Sequence, residues 1–461
     1  MDRRNLIAVA AGGLAAAALP RRSRAAGARR RPPNFIVVLC DDLGYGDVEP
    51  YGGKIPTPAL ARMAREGLVC TDYYAPANLC TPSRAGLLTG RYPVRTGLGF
   101  EVIFANGDER KLPHTERTIA DALKPAGYAS GLFGKWHLGH EGADWLPTTY
   151  GFDAYYGIPY SHDMTPLSVW QADAAHPQGI SAPPDYAALQ QQFYGHAEAF
   201  IEAHRDRPFF VELAFSAPHL PEHPDARYRG TAKEGPYGDE VRELDALVGR
   251  LMHKLRALRI ERDTVVVFTS DNGPWFEGSS GALRDRKGGA GYDGGYRVPF
   301  IVWAPGRVGA GSRTDAMLSG IDLLPTFCAM AGVAPPAGVE LDGRDAAAAL
   351  TAGAPSPHDE ILLFNNEDVV GVRTQRWKYV AQSYYRALTL NFESIGTYLE
   401  LFDMSAGPEI YSVAANYPEV TKDMQRRLHE ANARFKPYKK GMPPAVARLM
   451  GQRAPGAPRQ D

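Results

Sequence analysis

The stretch NFIVVLCDDLGYGD, residues 34–47, decides the fold class of this protein. Its residues 35–40 are apolar without interruption, and an acidic, glycine-rich segment follows at once. A strand that is covered on both faces has such a continuous apolar run, whereas a half-exposed strand alternates apolar and polar residues. The stretch therefore predicts a buried parallel strand whose carboxyl end opens into a polar loop.

The same pattern recurs along the chain, and helix-like segments lie between the strands. Apolar runs that end in polar segments occur within 128–139, 207–219 and 264–273, and residues 298–306 form another strand-like run. The segments 57–67 and 237–258 have helical spacing, and Thr57 and Gly67 are the predicted N-cap and stop of the first. This alternation predicts a mostly parallel sheet between two layers of helices, with the site outside the carboxyl ends of the strands.

From about residue 346 the pattern changes to short strand-like runs with little helix between them. EILLFNN, DVVGVRTQRWKYVAQ and TYLELFDM are followed by a helical segment at 418–435. We expect a catalytic domain over 32–345 and a small antiparallel subdomain, closed by one helix, over 346–436. The remaining residues, 437–461, are rich in proline, arginine and lysine, which predicts a loose tail.

The charge of the chain is uneven. Residues 1–31 carry eight arginines and one aspartate, a net charge of +7, so the rest of the chain sums to −8. An acidic body of this kind argues against nucleic acid as the main partner. No stretch outside the N-terminus approaches the ~18 uninterrupted apolar residues of a membrane span. We therefore expect no membrane attachment of the mature protein.

The N-terminus is typical of an export signal. MDRR is followed by NLIAVAAGGLAAAALP, which is too short to span a bilayer comfortably, and by the small residues AGA at 26–28. The adjacent Arg3 and Arg4 favour a signal of the twin-arginine type over 1–28. An ordinary secretory signal and an uncleaved anchor stay open as alternatives. Either signal peptide predicts an exported protein, periplasmic or extracellular.

Four cysteines, Cys40, Cys70, Cys80 and Cys328, are widely spaced and form no C-x-x-C pair. This spacing argues against a zinc site and against a thioredoxin-like function. The four thiols could form two disulfides in an oxidising compartment. However, the Thr-Pro-Ser-Arg sequence that follows Cys80 favours a reactive residue at that position.

Two oxygen-rich pairs follow predicted strands. Asp41 and Asp42 come directly after the first strand, and Asp271 and Asn272 follow the strand that starts near residue 264. Adjacent carboxylates repel each other unless a cation lies between them. Carboxylate and amide oxygens suit a hard divalent cation such as Ca²⁺ or Mg²⁺. Taken alone, Asp41 and Asp42 could instead be a helix cap and a solvated aspartate.

Cations and imidazoles accompany these acids at other predicted strand ends and loops. Lys135 and His137 lie two residues apart, so both would point the same way in an extended segment. His219 follows another strand, Lys287 lies in a glycine-rich loop, and Arg84 is a fixed cation near the reactive cysteine. Each alone is also typical of a surface lysine, a packed histidine or a basic turn. Together they suit a tetrahedral anion.

The stretch CTPSRAGLLTGRYP, residues 80–93, resembles the sulfatase signature C-x-P-S-R followed by L-x-T-G. The motifs DDLGYGD, GKWHLG, GIPYSHD, DNGP and GGYRVP extend the resemblance over about residues 34–435. GIPYSHD and GPYGDEVRELDALVG are most similar to the arylsulfatase A group. The resemblance implies the alkaline phosphatase-like α/β fold, with a large, mostly parallel mixed sheet between helices and a small C-terminal antiparallel sheet.

The resemblance also implies a cofactor and a partner. In sulfatases the signature cysteine is oxidised to formylglycine, an aldehyde whose hydrate is the nucleophile, and Cys80 occupies that position. A formylglycine-generating or sulfatase-maturating enzyme would recognise residues 81–84. The implied ligands of one Ca²⁺ or Mg²⁺ per chain are Asp41, Asp42, Cys80, Asp271 and Asn272.

Further roles are carried over by position in the same way. Four residues match those that hold the sulfate or serve the leaving group: Lys135, Ser161, His219 and Lys287. His137 matches the base near the aldehyde hydrate, and Arg84 matches its stabiliser. One departure from the animal arylsulfatase A pattern is visible, because the segment between Ser161 and His219 is compact and has no cysteine.

The resemblance implies a sulfatase of arylsulfatase type that hydrolyses sulfate monoesters of small molecules or glycans. A phosphonate or phosphate ester hydrolase of the same fold needs a similar anion-binding site and stays open as an alternative. A catalytically silent protein that binds sulfated glycans is a second alternative, which the retained lysines and histidines disfavour.

Overall fold

The predicted first strand lies at the centre of a large sheet in the computed structural model, which describes residues 31–142, 144–382 and 397–451. Among the described residues, the strands are β1 (Asn34–Cys40), β2 (Leu68–Cys70), β3 (Tyr73–Tyr74), β4 (Ala129–Lys135), β5 (Ala154–Ile158), β6 (Val169–Ala172), β7 (Ile180–Ala182), β8 (Phe209–Ala214), β9 (Thr264–Ser270), β10 (Phe300–Trp303), β11 (Ser312–Thr314), β12 (Leu318–Ser319), β13 (Glu360–Asn365), β14 (Asp368–Thr374), β15 (Trp377–Gln382) and β16 (Thr397–Asp403). The α-helices of the same residues are α1 (Pro58–Glu66), α2 (Cys80–Thr89), α3 (Ile119–Leu123), α4 (Leu189–Ala203), α5 (Gly235–Ala257), α6 (Asp293–Tyr296), α7 (Leu323–Ala331), α8 (Ala347–Ala352), α9 (Pro418–Phe435) and α10 (Pro444–Gly451).

The main sheet has ten strands in the order β11-β2-β10-β9-β1-β8-β4-β5-β6-β7. Its centre, from β9 to β5, is parallel throughout, and antiparallel strands extend it on both sides. In the middle, Val38 of β1 lies opposite Leu213 of β8 and Phe268 of β9. The prediction of a large, mostly parallel mixed sheet is confirmed.

Alternate residues of β1 belong to two separate cores. Phe35, Val37 and Leu39 pack in a core with side chains of α2, α3 and α7. Ile36 and Val38 pack in a second core with side chains of α1, α4 and α5. Helices therefore cover both faces of the sheet, and this is why the sequence of β1 has no polar alternation.

The helix predicted over 237–258 is α5, and its predicted apolar face is buried in the second core. The helix predicted over 57–67 is α1, which lies between Thr57 and Gly67 as expected. However, the Thr57 side chain makes no cap hydrogen bond to α1. Instead, Asp245 of α5 accepts hydrogen bonds from the backbone amides of Ala59 and Leu60, at 3.1 and 2.8 Å.

The C-terminal strands form a second, antiparallel sheet in the order β13-β14-β15-β16, as predicted. Helix α9 covers it, and Met424, Leu428 and Phe435 share a core with Val372 and Tyr379 of the strands. The described residues from Pro32 onward belong to one compact unit. The boundary between residues 345 and 346 therefore separates two sheets within that unit, and its position stays a prediction.

The prediction of a loose tail over 437–461 is wrong for part of that segment. Residues 444–451 form α10, an amphipathic helix in which the apolar residues Ala445 and Val446 are buried. Residues 452–461 lie outside the described residues, and so does the predicted export signal at 1–28. None of the helices in the described ranges has the length and apolar content of a membrane span.

All four cysteines are buried free thiols. Cys40 ends β1, Cys70 ends β2, and Cys328 lies in α7. The alternative of two disulfides is therefore wrong. Cys80, the fourth, is the first residue of α2, and that position brings it to the end of the parallel sheet described below.

One glutamate lies in the middle of the buried parallel sheet. Glu212 of β8 stands between Val37 of β1 and Leu132 of β4 and is 2% exposed. Burial raises the pKa of its carboxyl to about 7, although the Arg84 guanidinium acts in the opposite direction. Between the unfolded pKa and about pH 7, the folded protein therefore keeps a proton at Glu212 that the unfolded chain has lost.

We expect the stability of Glu212→Gln, relative to that of the wild type, to increase as the pH rises. When folding raises the pKa of a carboxyl, the protein becomes less stable as the pH rises from the unfolded pKa to the folded pKa. The free energy of unfolding of the variant, relative to the wild type, should grow by about 2–3 kcal/mol between pH 5 and pH 8. Urea unfolding at both pH values measures this, with the surface variant Glu419→Gln as control. An equal difference at both pH values would refute the assignment.

Candidate active site

The two predicted oxygen-rich pairs meet at the carboxyl ends of β1 and β9. These strands pair in register, with Cys40 opposite Ser270, so the residues that follow lie side by side. The Asp42 amide donates to Asp271 Oδ1 at 3.3 Å, and Asn272 Nδ2 donates to Asp42 Oδ1 at 2.8 Å. Asp41, Asp42, Asp271 and Asn272 are all buried. Their positions are those expected of parallel strands.

Two lysines pair with these carboxylates. Lys135, the last residue of β4, places Nζ 2.5 Å from Asp41 Oδ2, and Lys287 Nζ lies 2.6 Å from Asp42 Oδ2. Burial acts to raise the pKa of Asp41, but Lys135 and other nearby cations hold it well below its usual range. Burial acts to lower the pKa of Lys287, but Asp42 and other acids hold it well above its usual range. Both pairs are therefore ionic.

Arg84 joins the second acidic pair to β4. Its Nε donates to Asp271 Oδ2 at 2.8 Å, its Nη2 lies 2.8 Å from the same oxygen in an ion pair, and its Nη1 donates to the carbonyl of Lys135 at 2.8 Å. The side chain is buried in α2, and burial acts to lower its pKa, but Asp271 and Asp41 raise it above the usual range. This arginine is a fixed cation in the site, as the sequence suggested.

Cys80 lies within the same cluster. Its Sγ is 3.5 Å from Asp41 Oδ1, and single ligand atoms of Asp41, Asp42, Cys80 and His219 all lie within 4.8 Å of one another. Burial raises the pKa of the Cys80 thiol, although Lys135 and Lys287 act to lower it. The sequence placed Cys80 beside the carboxylates by resemblance only. The structure shows that the start of α2 brings it there.

The backbone conformation at His137 differs from the extended one that the sequence predicted. Strand β4 ends at Lys135, and His137 adopts a left-handed backbone conformation with φ of 59°, so the segment is not extended there. Its Nε2 donates to the carbonyl of Ile103 at 2.9 Å. Burial, with Lys135, holds the pKa of His137 well below its usual range. The neutral ring therefore carries its proton on Nε2 and has a lone pair on Nδ1.

His219 follows β8 and faces the carboxylates. Its Nδ1 donates to the carbonyl of Leu220 at 2.6 Å, and its Nε2 lies 3.6 Å from Asp42 Oδ2. The buried ring of His162 packs edge-on against it, with centroids 5.7 Å apart. The sequence reasoning missed His162, although this residue directly follows the predicted Ser161. Ser161 is buried too, and its hydroxyl oxygen has no hydrogen-bond partner among the described residues.

The C-terminal sheet anchors the segment that carries Lys287. Lys378 of β15 is buried and forms ion pairs with Asp293 and Glu409, and the Asp293 amide donates to Glu409 Oε2 at 2.8 Å. Tyr296 Oη donates to the carbonyl of Phe364 in β13 at 2.9 Å. The sequence reasoning missed these residues, because nothing in the local pattern pairs a strand lysine with distant acids.

The donor set fits a hard divalent cation. The carboxylates of Asp41, Asp42 and Asp271 are all buried; ligand oxygens of Asp41 and Asp42 lie within 4.8 Å of each other, and Asp271 accepts from the Asp42 amide. All the donors except Cys80 and His219 are oxygens. Asn272 Oδ1 is buried and, among the described residues, has no hydrogen-bond partner. An unpaired buried amide oxygen of this kind is suited to coordinate a cation. Around it, the lysines, Arg84 and His219 can hold an anion.

Comparisons with known proteins agree with this arrangement. A sequence model of the sulfatase family matches residues 33–333, and a model described as N-sulphoglucosamine sulphohydrolase, C-terminal, matches residues 289–434. Human arylsulfatase A is 38% identical over 379 residues, which cover 75% of this chain and 74% of that protein. The N-acetylgalactosamine-6-sulfatase of the dog, Canis lupus familiaris, is 36% identical over 75% of this chain and 71% of its own.

Solved structures give the same result. The crystal structure of the PsFucS1 sulfatase from Pseudoalteromonas sp. superimposes with a TM-score of 0.81 at 27% identity, and the match covers 90% of this chain and 92% of that one. The sequence and structural matches extend over both sheets, as the resemblance predicted. The chain therefore belongs to the sulfatase family, whose members hydrolyse sulfate esters, and it resembles arylsulfatase A.

Proposed function

We propose that this sulfatase hydrolyses its esters with a formylglycine made from Cys80 and with one Ca²⁺ or Mg²⁺ held by Asp41, Asp42, Asp271 and Asn272. The observation that carries the proposal is the position of Cys80 at the start of α2, within 4.8 Å of the ligand atoms of Asp41, Asp42 and His219. In such a site formylglycine supplies a hydrated aldehyde as nucleophile and the cation makes its hydroxyl more acidic.

The buried cations have a clear electrostatic role in this proposal. Lys135, at the end of β4, pairs with Asp41, and Lys287, in a loop, pairs with Asp42. In the proposed site both ammonium groups lie where a sulfate would bind. They stabilise negative charge that redistributes over the sulfuryl oxygens during reaction. Arg84 holds the Asp271 carboxylate in place and stabilises the modified residue 80. Ser161 contributes to sulfate binding.

The two histidines are suited to opposite proton transfers. The Nδ1–H bond to the Leu220 carbonyl orients His219 so that Nε2 faces the site. In its doubly protonated form, the ring can give the Nε2 proton to the departing oxygen and keep the proton on Nδ1. His137 presents a neutral Nδ1 lone pair, which can accept a proton. These assignments predict different substrate dependences for the two residues.

We expect His219→Ala to slow alkyl sulfates far more than activated aryl sulfates. A poor leaving group needs protonation as the bond breaks, whereas nitrophenolate needs little. The loss in kcat/KM should be about 10²–10³-fold for an alkyl sulfate and about tenfold for 4-nitrophenyl sulfate. His137→Ala should lower kcat by the same factor for both substrates. Steady-state rates of both variants on both esters test this, and identical leaving-group dependences would contradict the division.

The proposed maturation must precede folding. Residues 80–84 lie in the first turns of α2 and are all buried, with Cys80 only 1% exposed. A formylglycine-generating or sulfatase-maturating enzyme therefore needs the unfolded segment. Export through a twin-arginine signal at 1–28 is compatible with this order, because that route accepts a protein that has already folded.

The proposed substrates are sulfate monoesters of phenols or sugars. The dog relative is named for a sulfated amino sugar, and the human relative is named for aryl esters. A direct test compares wild-type rates on 4-nitrophenyl sulfate, on N-acetylgalactosamine 6-sulfate and on an aryl phosphonate monoester. We expect turnover of the sulfates to exceed that of the phosphonate. A preference for the phosphonate would overturn the proposal.

A further inference from the structure

Both ends of the segment 274–287 lie in the active site. It begins two residues after Asn272 and ends at Lys287, whose backbone amide donates to the carbonyl of Pro274 at 2.9 Å. The residues next to these two ends therefore adjoin the site along the chain. On the first arm these are Trp275 and Phe276, and on the returning arm the residue is Arg286.

The side chains of these three residues form one cluster. The rings of Trp275 and Phe276 are perpendicular, with centroids 4.9 Å apart. The Arg286 guanidinium lies over the Phe276 ring, 4.4 Å from its centroid. Phe276 is 52% exposed, although it is a large apolar residue. A cluster of two aromatic rings and a guanidinium at the rim of a site is suited to bind a ring that carries negative charge.

The arginine of this cluster is available to a ligand. Two residues earlier, Arg284 pairs with Glu400 at 3.3 Å. Arg286, in contrast, has no carboxylate within ion-pair distance in the described ranges, and its guanidinium contacts the Phe276 ring. A guanidinium that is oriented by an aromatic ring keeps its planar set of donors for a carboxylate or sulfate.

The loop that carries the cluster is held in place by the core. The buried Asp47 carboxylate accepts hydrogen bonds from the Ser279 amide at 2.8 Å, the Gly44 amide at 2.7 Å and Tyr237 Oη at 2.5 Å. On the returning arm, Ser280 Oγ donates to the carbonyl of Asp285 at 2.7 Å. These bonds fix both arms, so the cluster does not have to be ordered when a ligand binds.

We propose that Trp275, Phe276 and Arg286 form a leaving-group subsite that favours a ring-shaped alcohol or phenol with a second anionic group. The ring of the leaving group contacts Phe276 and Trp275, and its carboxylate or second sulfate pairs with Arg286. This inference rests on the proposed function of the adjoining site, because it requires a sulfate ester whose sulfuryl group lies between Lys135 and Lys287.

The first test compares phenyl sulfate with 3- and 4-carboxyphenyl sulfate and with a benzenediol bis(sulfate), whose ring carries two sulfate ester groups. For each ester, kcat/KM of Arg286→Gln is divided by that of the wild type, so the intrinsic reactivity of the ester cancels. The loss should be about tenfold greater for at least one doubly anionic ester than for phenyl sulfate. Arg286→Lys should give an intermediate loss. The carboxylated and disulfated arms distinguish the two kinds of anion.

A matched control is Arg434→Gln, whose guanidinium lies 4.8 Å over the Phe435 ring on α9, outside this site. It should affect all the esters equally. The ratio of kcat/KM for the doubly anionic ester to that for phenyl sulfate should also fall with added salt in the wild type, and it should fall less in Arg286→Gln.

The aromatic residue has its own test. Phe276→Ala should raise KM about five- to tenfold for aryl and sugar sulfates. The rise in KM should be smaller for a short alkyl sulfate, which has no ring. The control is Tyr411→Ala, which removes an 83% exposed ring elsewhere. If the wild type hydrolyses sulfate esters but Arg286→Gln lowers every ester equally, the subsite is refuted and the proposed function stands. If the wild type hydrolyses no sulfate ester, the proposed function fails first.

Discussion

Cys80→Ala is expected to lower kcat/KM for 4-nitrophenyl sulfate by at least ~10⁴-fold, because it removes the atom from which the nucleophile is made. The rest of the site would remain, since Lys135, Lys287 and Arg84 make their ion pairs with aspartates and not with the cysteine. The variant should therefore fold and bind inorganic sulfate. Its residual rate would be that of binding and charge stabilisation alone.

The matched control for this variant is Cys328→Ala, which removes another buried thiol, in α7. That variant should lose some stability but keep its activity. Mass spectrometry of the tryptic peptide that contains residue 80 gives an independent readout. Fully active protein that carries an intact thiol at residue 80 would sink the formylglycine proposal.

The burial of residues 80–84 adds a kinetic expectation to the same experiment. Folded protein with the Cys80 thiol should be a poor substrate for a maturating enzyme. The same chain should be modified when it is unfolded and then refolded in the presence of that enzyme. Equal modification of the folded and refolded samples would show that α2 opens readily in the native state.

Asp271→Asn is expected to lower both the content of bound Ca²⁺ or Mg²⁺ and kcat/KM, the latter by about 10³-fold. A divalent cation contributes several kcal/mol of charge stabilisation in such a site. The substitution keeps the size of the side chain but removes one of three carboxylates. The remaining negative charge then faces Arg84, Lys135 and Lys287, which weakens the attraction for a cation.

Asp245→Asn is the control, because Asp245 is a buried carboxylate that binds backbone amides of α1 and lies outside the cluster. It should lower stability and leave the metal content unchanged. Elemental analysis and rates with added Ca²⁺, Mg²⁺ and Zn²⁺ provide the measurements. Unchanged metal content and activity in Asp271→Asn would exclude these ligands, and a strong preference for Zn²⁺ would contradict a site built mainly of oxygens.

Local pattern was enough to predict the centre of the fold. A strand covered on both faces cannot alternate, so NFIVVLC could be recognised without its partners, and the apolar face of α5 follows from helical spacing alone. The acidic pairs were also predictable. The carboxyl ends of neighbouring parallel strands lie at one edge, so residues that directly follow β1 and β9 had to approach each other.

Other features depend on residues far apart in the chain. The N-terminus of α1 is bound by Asp245 of α5 and not by the adjacent Thr57, because the packing of two helices brings that carboxylate to the free amides. A sequence motif has no means of indicating such a partner. Helix α10 was missed for a similar reason, since the burial of Ala445 and Val446 depends on contacts with the rest of the folded protein.

The sequence by itself determined the parallel sheet, the family and most of the residues that gather at the site. Only the tertiary structure decided how they meet: the left-handed turn that brings in His137, the contact between His162 and His219, and the anchoring of the Lys287 segment through Lys378. The physical reason is the separation along the chain of the residues that interact. Periodicity and motifs record what each segment requires locally, whereas ion pairs and ring contacts form between segments that only the folded chain places together.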